Sequence, residues 1–297
     1  MRIPRGFTLI ELVIVIAITG IIAGIFAMML APTLQNYLAV GRRANITHLA
    51  DTALRRMITE IHTAVPNSLR LTPDPANGAV CLEMVPSSAG GRFRLAPDTQ
   101  WDQANPSNPS QALVMSHPGT VFDVFTLFPN PPATKDWVVI GNQNTSDVYT
   151  GSDRAQISAI GTPPATGGGN PPLGQSRITL ATPTQFPYGY EGGRFYIVQD
   201  SVQAVTYQCS GAGIDATNTG TGRLTRIVHY GFNPTATCAI GSGTSATVAT
   251  KVAACNFVYS PGQGSTQQSG FAQLQLSLAD HGETATLTVG SQVENLP

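Results

Sequence analysis

Glu11 is the only charged residue between Phe7 and Gly41. An ionised carboxylate near one end of such an apolar run costs about 2–3 kcal/mol in a bilayer, so it needs a cationic partner. Other residues with chemical potential are scattered. Five histidines stand at 48, 62, 117, 229 and 281, none in a metal-ligand spacing. Asp280-His281-Gly282 resembles part of a catalytic triad but reads as a turn between two alternating strands. Neither a G-x-S-x-G elbow nor a phosphate loop occurs, and Gly220-Thr221-Gly222 and Gly241-Ser242-Gly243 read as turns. Asn142, Asn144, Asp147 and Asp153 offer hard oxygen atoms that suit Ca²⁺. Their irregular spacing matches no defined loop, so a solvated turn is the expectation. The sequence therefore predicts a non-enzyme without metal or cofactor. A net charge of −1, with Lys and Arg totalling 16 in 297 residues, gives no basic stripe for nucleic acid.

The elements that position Glu11 come next. A spanning helix needs about 20 apolar residues at 1.5 Å rise. Leu12 to Leu34 supplies them, and Thr19, Gly20 and Gly24 are tolerable inside one. Arg2 and Arg5 precede the run, which favours a cytoplasmic N-terminus. A secretory signal peptide fits poorly, because its apolar region would be too long and would carry a glutamate.

Gly6-Phe7-Thr8-Leu9-Ile10-Glu11-Leu12 followed by that apolar helix resembles the class III signal of type IV pilins and of type II secretion pseudopilins. The resemblance implies that prepilin peptidase cuts after Gly6 and methylates Phe7, removing residues 1–6. The new amine on Phe7 is a cation at a helix N-terminus, where it opposes the macrodipole. Glu11 lies one turn further on and can neutralise it. The resemblance implies that Glu11 instead pairs with the Phe7 amine of a neighbouring subunit, which sets the register of a filament. The stretches "VCLEMVPSSAGGRFR", "DVYTGSDRAQI", "GGRFYIVQDSVQAVTYQC", "GRLTRIVHYG", "VAACNFVY" and "VENLP" are further similar to minor pilins of the mannose-sensitive haemagglutinin (MSHA) pilus. The implied function is a minor pilin that helps initiate or cap a filament. Its implied partners are the inner membrane, prepilin peptidase, the major and other minor pilins, and the pilus assembly platform. The chain would be a single-pass inner-membrane protein with a periplasmic C-terminal domain, extracellular after assembly at the pilus tip. The alternatives are a J-type minor pseudopilin of type II secretion and a pilus-tip adhesin.

Beyond Pro32 the pattern turns amphipathic. Ile46, Leu49, Ala50, Ala53, Met57, Ile58, Ile61 and Val65 follow helical spacing. Arg42, Arg43, Asp51, Arg55, Arg56 and Glu60 read as the solvated face, and Pro66 ends the helix. The expected organisation is a leader (1–6), a helix (7–65) with a membrane half (7–34) and an amphipathic half (35–65), and a β-rich domain (66–297). Pro32 or the Gly20–Gly24 pair is a site for a bend. The fold class is α+β, a membrane-spanning helix packed on antiparallel strands.

The β-rich part holds most of the glycines and prolines. Its strand-like runs include residues 80–85, 92–95, 121–127, 137–140, 177–180, 194–199, 202–208, 224–230 and 256–259. "FAQLQLSL" and "ETATLTV" alternate cleanly around "ADHG" and predict a hairpin. Long polar loops, such as residues 161–174, separate the strands. Gly-Gly-Arg-Phe occurs at residues 90–93 and 192–195, a weak sign of duplication. Tyr149, Tyr188, Tyr190 and Trp101 read as loop aromatics. Cys81, Cys209, Cys238 and Cys255 lie beyond the membrane helix, and an exported domain makes them disulfide candidates. Cys209 has two candidate partners, Cys238 and Cys255, and the sequence does not choose.

Overall fold

The computed structural model describes residues 8–74, 78–166, 172–188, 192–238, 240–263 and 269–295. The first element is one uninterrupted helix, α1 (Leu9–His62), of 54 residues. Pro32 removes one backbone hydrogen bond without ending it. The two halves of α1 differ in what covers them. Every residue from Thr8 to Leu38 is exposed. Ile46, Ala50, Ala53, Leu54, Met57 and Ile61 are buried in a single core. Their spacing of three and four places them on one helical face. Leu54 joins that face, while Leu49 and Ile58 lie at its margin.

That face packs on a seven-stranded antiparallel sheet. Its strands are β1 (Arg70–Asp74), β2 (Ala79–Met84), β9 (Val205–Ser210), β10 (Gly222–Val228), β11 (Thr244–Gln263), β12 (Ser269–Asp280) and β13 (Glu283–Glu294), hydrogen-bonded in that order. The expected hairpin is β12–β13. His281 (φ 48°) and Gly282 (φ 87°) form its two-residue turn, with Asp280 opposite Glu283. Leu274, Leu276 and Leu278 point into the core and are fully buried. Strand β11 is longer than the "NFVY" run, and Lys251, at positive φ, accompanies a register shift against β10.

Between β2 and β9, which are neighbours, the chain leaves the sheet and builds a second one. It consists of β3 (Ala89–Arg92), β4 (Gly119–Val124), β5 (Trp137–Val139), β6 (Arg154–Gly161), β7 (Ser176–Thr184) and β8 (Arg194–Val198), in the order β3-β8-β5-β6-β7-β4. The ends meet: Phe93 bridges Val124, Arg94 N donates to Asp123 O at 2.9 Å, and Phe125 N donates to Arg92 O at 2.9 Å. The sheet therefore closes as a small six-stranded barrel. Phe93, Phe122, Val124, Ile157, Ile178 and Phe195 are among the side chains that fill it. Two short helices, α2 (Thr99–Ala104) and α3 (Asp147–Thr150), interrupt its loops. The expected strand at 92–95 is absent as such, because β3 ends at Arg92 and the next residues turn onto β4.

A third core joins the two layers. Val65, Val85, Val139, Val148, Tyr149, Val198 and Ala204 are buried together there. Trp137 and Phe232 pack edge to face beside it, with ring centroids 5.5 Å apart.

Candidate functional site

The candidate site begins at the start of α1. Thr8 is the N-cap in extended conformation, and Glu11 is the third helical residue. Together they form a capping box: Thr8 N and Thr8 Oγ1 each donate to Glu11 Oε2 at 3.3 Å. The Glu11 carboxylate thus faces the chain end, where the helix dipole is positive. Gly6 and Phe7, and with them the Glu11–Phe7 charge pair, lie outside the described residues. The long exposed flank of α1 carries Leu9, Ile10, Ile14, Ile18, Ile21, Ile25 and Phe26. By length and composition, α1 qualifies as a membrane-crossing helix. Water disfavours such a surface at roughly 25 cal/mol per Å², so it belongs against lipid or other helices.

The buried half of α1 is held by more than apolar packing. Glu60, expected on the solvated face, turns toward the sheet. It accepts hydrogen bonds from Tyr207 Oη at 2.9 Å and from Arg226 Nε at 2.9 Å. Burial, and then the Glu60 charge, push the Tyr207 hydroxyl upward. A second network lies deeper. Arg70 Nε donates to Glu83 Oε2 at 2.6 Å, and Tyr230 Oη donates to Glu83 Oε1 at 2.8 Å. The Arg70 guanidinium also sits 3.6 Å from the Tyr149 ring centroid. Tyr149 is fully buried rather than a loop aromatic, and its hydroxyl donates to Ser68 O at 2.8 Å. A lone acid inside the apolar run "VCLEMV" was the sequence signal for this network. Tyr188 is exposed, Trp101 lies on α2, and Tyr190 is outside the described residues.

The cysteines form two disulfides, both in the seven-stranded layer and its loops. Cys209 on β9 is joined to Cys255 on β11, past the start of β10, and not to Cys238. Cys81 on β2 is joined to Cys238 in the loop before β11. The Cα separations of 6.5 and 5.6 Å are ordinary for the bond. Gly220, within a stretch read as a turn, serves close packing: a Cβ there would lie 2.1 Å from Lys251 O.

The oxygen-rich loop does not gather into a cage. Asn142 is spent on Pro66 O and Val148 N, and Asn144 bonds Asp147. Asp153 lies buried at the start of β6, and neither carboxylate oxygen has a hydrogen-bond partner among the described residues. Burial, and then the Asp147 charge, push its carboxyl up to about 7. Among the described residues, no three or more His, Cys, Asp or Glu side chains are placed to hold a metal ion. Asp280 and His281 do meet, at 2.8 Å, but Lys251 takes the other carboxylate oxygen at 2.6 Å. The group is a pinned hairpin turn.

The prokaryotic N-terminal methylation motif matches residues 1–27 of the chain. No curated protein and no solved structure matches it. The motif supports a place among the type IV pilin-like precursors. It implies processing by prepilin peptidase and assembly with other pilins, and it agrees with a single-pass anchor in the inner membrane.

Proposed function

We propose that the chain is a minor pilin that helps initiate or cap a type IV filament of the MSHA kind, with MshO as its specific counterpart. Prepilin peptidase would cut after Gly6 and methylate Phe7, leaving α1 anchored until the subunit enters the filament. The observation that carries this reading is the exposed apolar half of α1 with one carboxylate, Glu11, at its start. Such a surface needs cover, from lipid before assembly and from other helices in the filament. A bare carboxylate among them is tolerated only when an amine meets it, and mispairing in a low-dielectric setting is heavily penalised. The inserted barrel adds bulk that a tightly packed shaft would have to repeat at every step. A low-copy position near the tip avoids that.

The test has two parts. Mass spectrometry of the N-terminal peptide from native membranes should find N-methylated Phe7 as the first residue. A chain that keeps Met1 beside an active prepilin peptidase would overturn the reading. Glu11→Val should abolish piliation while leaving the sheet and its disulfides intact, because among the described residues Glu11 bonds only Thr8. Loss of protein secretion with normal pili would instead assign the chain to a type II secretion pseudopilus.

A further inference from the structure

The barrel closes on itself, but the seven-stranded sheet has two outer edges, β1 and β13. The unpaired N–H and C=O groups of an edge are a template for a further strand, and proteins ordinarily shield them. Strand β1 is shielded. It has five residues, one of them Pro73, and Arg70 ties the Asn233–Pro234 loop to it by donating to Asn233 O at 2.6 Å. Strand β13 is not. It runs for 12 residues, roughly 40 Å, in unbroken register with β12 and without a proline or a cation. Its two-residue turn closes on Asp280 and Glu283, so the bonded pairs fall on its odd-numbered residues. The main-chain groups of Thr284, Thr286, Thr288, Gly290 and Gln292 therefore point outward, and all five residues are exposed. Among the described residues no other strand meets them.

The chemistry of this edge specifies its occupant. A row of open main-chain donors and acceptors is matched by the main chain of another extended segment. The only charges on β13 are Glu283 and Glu294, one at each end. A second copy paired antiparallel over the full length would set Glu283 against Glu294 at both ends, which is unfavourable. A strand with a cation at each end is matched instead. On the helix side, Leu287 borders a groove of about 550 Å³ whose other wall includes Val40, Ala44 and Thr47 of α1. That groove offers apolar cover to alternate side chains of an incoming strand.

We infer that β13 pairs with an extended strand of a different filament subunit, one that alternates apolar and polar residues and carries a basic residue at each end. That the partner is a filament subunit rests on the proposed function, whereas the open edge does not.

Two measurements separate these. The first uses the full chain in detergent and a peptide of the same 12-residue length, with Leu alternating with Thr between terminal lysines. Amide exchange at Thr284, Thr286 and Thr288 should be fast in the chain alone and slow with the peptide. Replacing both lysines with glutamate should weaken binding by about fivefold or more. Thr286→Pro removes one outward N–H, which an edge strand tolerates, and should abolish the protection at an unchanged melting temperature. Thr286→Val keeps that N–H and should bind as the natural chain does. If the proline variant melts early, the lysine and glutamate peptides still decide. No protection by the lysine peptide, or equal protection by the glutamate peptide, would overturn the pairing. Protection that grows with the concentration of the chain alone would overturn this occupant in favour of a second copy. In cells, Thr286→Pro should still yield N-methylated Phe7 but leave the subunit absent from sheared filaments. A natural chain that keeps Met1 would sink the filament reading alone, whereas normal incorporation of the processed variant would sink the pairing.

Discussion

The layer built on α1 and the inserted barrel solve the same problem by opposite means. The layer buries one face of the second half of a helix against a sheet, and leaves the first half exposed. The barrel has no helix to cover it and closes its sheet on itself, so its core lies inside. The layer also holds both disulfides and the networks of Glu60 and Glu83, whereas the barrel holds one buried ion pair, Asp123 with Arg177 at 2.6 Å, and an aromatic interior of Phe93, Phe122, Phe128 and Phe195. Phe122 touches both Phe93 and Phe195 edge to face, at 5.9 and 6.2 Å between centroids. The barrel can be inserted because its entry and exit, β2 and β9, are adjacent strands. An insertion there leaves the register of the layer unchanged.

If the two regions are separate cores, damage to one should spare the other. Phe122→Ala should destabilise the barrel by about 3–5 kcal/mol, the range for removing a buried aromatic. Leu54→Ala should cost the layer about 2–5 kcal/mol. Differential scanning calorimetry should resolve two transitions, each variant lowering a different one. A single transition lowered equally by both would show that the core around Val139 and Tyr149 fuses them into one unit.

The next effect concerns their junction. The Asp153 carboxyl is held up to about 7 by burial and by Asp147. Below pH 4 both the folded and the unfolded chain keep this proton, and it has no effect. Between pH 4 and 7 the unfolded chain ionises while the folded one does not. Stability should therefore fall as pH rises through this window, by at most about 1.4 kcal/mol per pH unit, and level off above it. Asp153→Asn should flatten the dependence in urea titrations at pH 5 and pH 8. An unchanged slope would mean that the ionised carboxylate finds a partner in the folded chain.

The helix and the hairpin were legible in the sequence because their periods are long and unbroken. The face from Ile46 to Ile61 and the alternation from Phe271 to Val289 each repeat enough times to exclude other readings. The closure of the barrel was not legible, although its strands at Gly119–Val124, Trp137–Val139, Ser176–Thr184 and Arg194–Val198 were expected. Its strand Ala89–Arg92 reads "AGGR", with no β-favouring side chain, and Arg154–Gly161 went unread. Pairing with distant partners creates the first. Glu60 was misplaced for a similar reason: helical spacing puts it on the margin, and only Tyr207 and Arg226 from the sheet draw it inward. At the candidate site the sequence identified Glu11 by its isolation. Its bond to Thr8 follows the capping-box spacing, a signal that was present but went unread.

The smallest effect separates the two regions most sharply. Cys209–Cys255 closes a loop of 46 residues, and Cys81–Cys238 closes one of 157 that contains the whole barrel. Chain-entropy reasoning makes the longer loop worth about 1 kcal/mol more, because the contribution grows with the logarithm of its length. That difference requires the barrel to unfold with the layer. If Ala89–Val198 stays folded, about 110 residues act as one rigid body, and the flexible part shrinks to about 47 residues. The two disulfides should then contribute equally, about 4 kcal/mol each on this scale. Denaturant midpoints of the Cys81→Ser/Cys238→Ser and Cys209→Ser/Cys255→Ser variants measure this. Equal losses would mean that the barrel outlives the layer, and a loss about 1 kcal/mol larger for the first pair would mean that they unfold together.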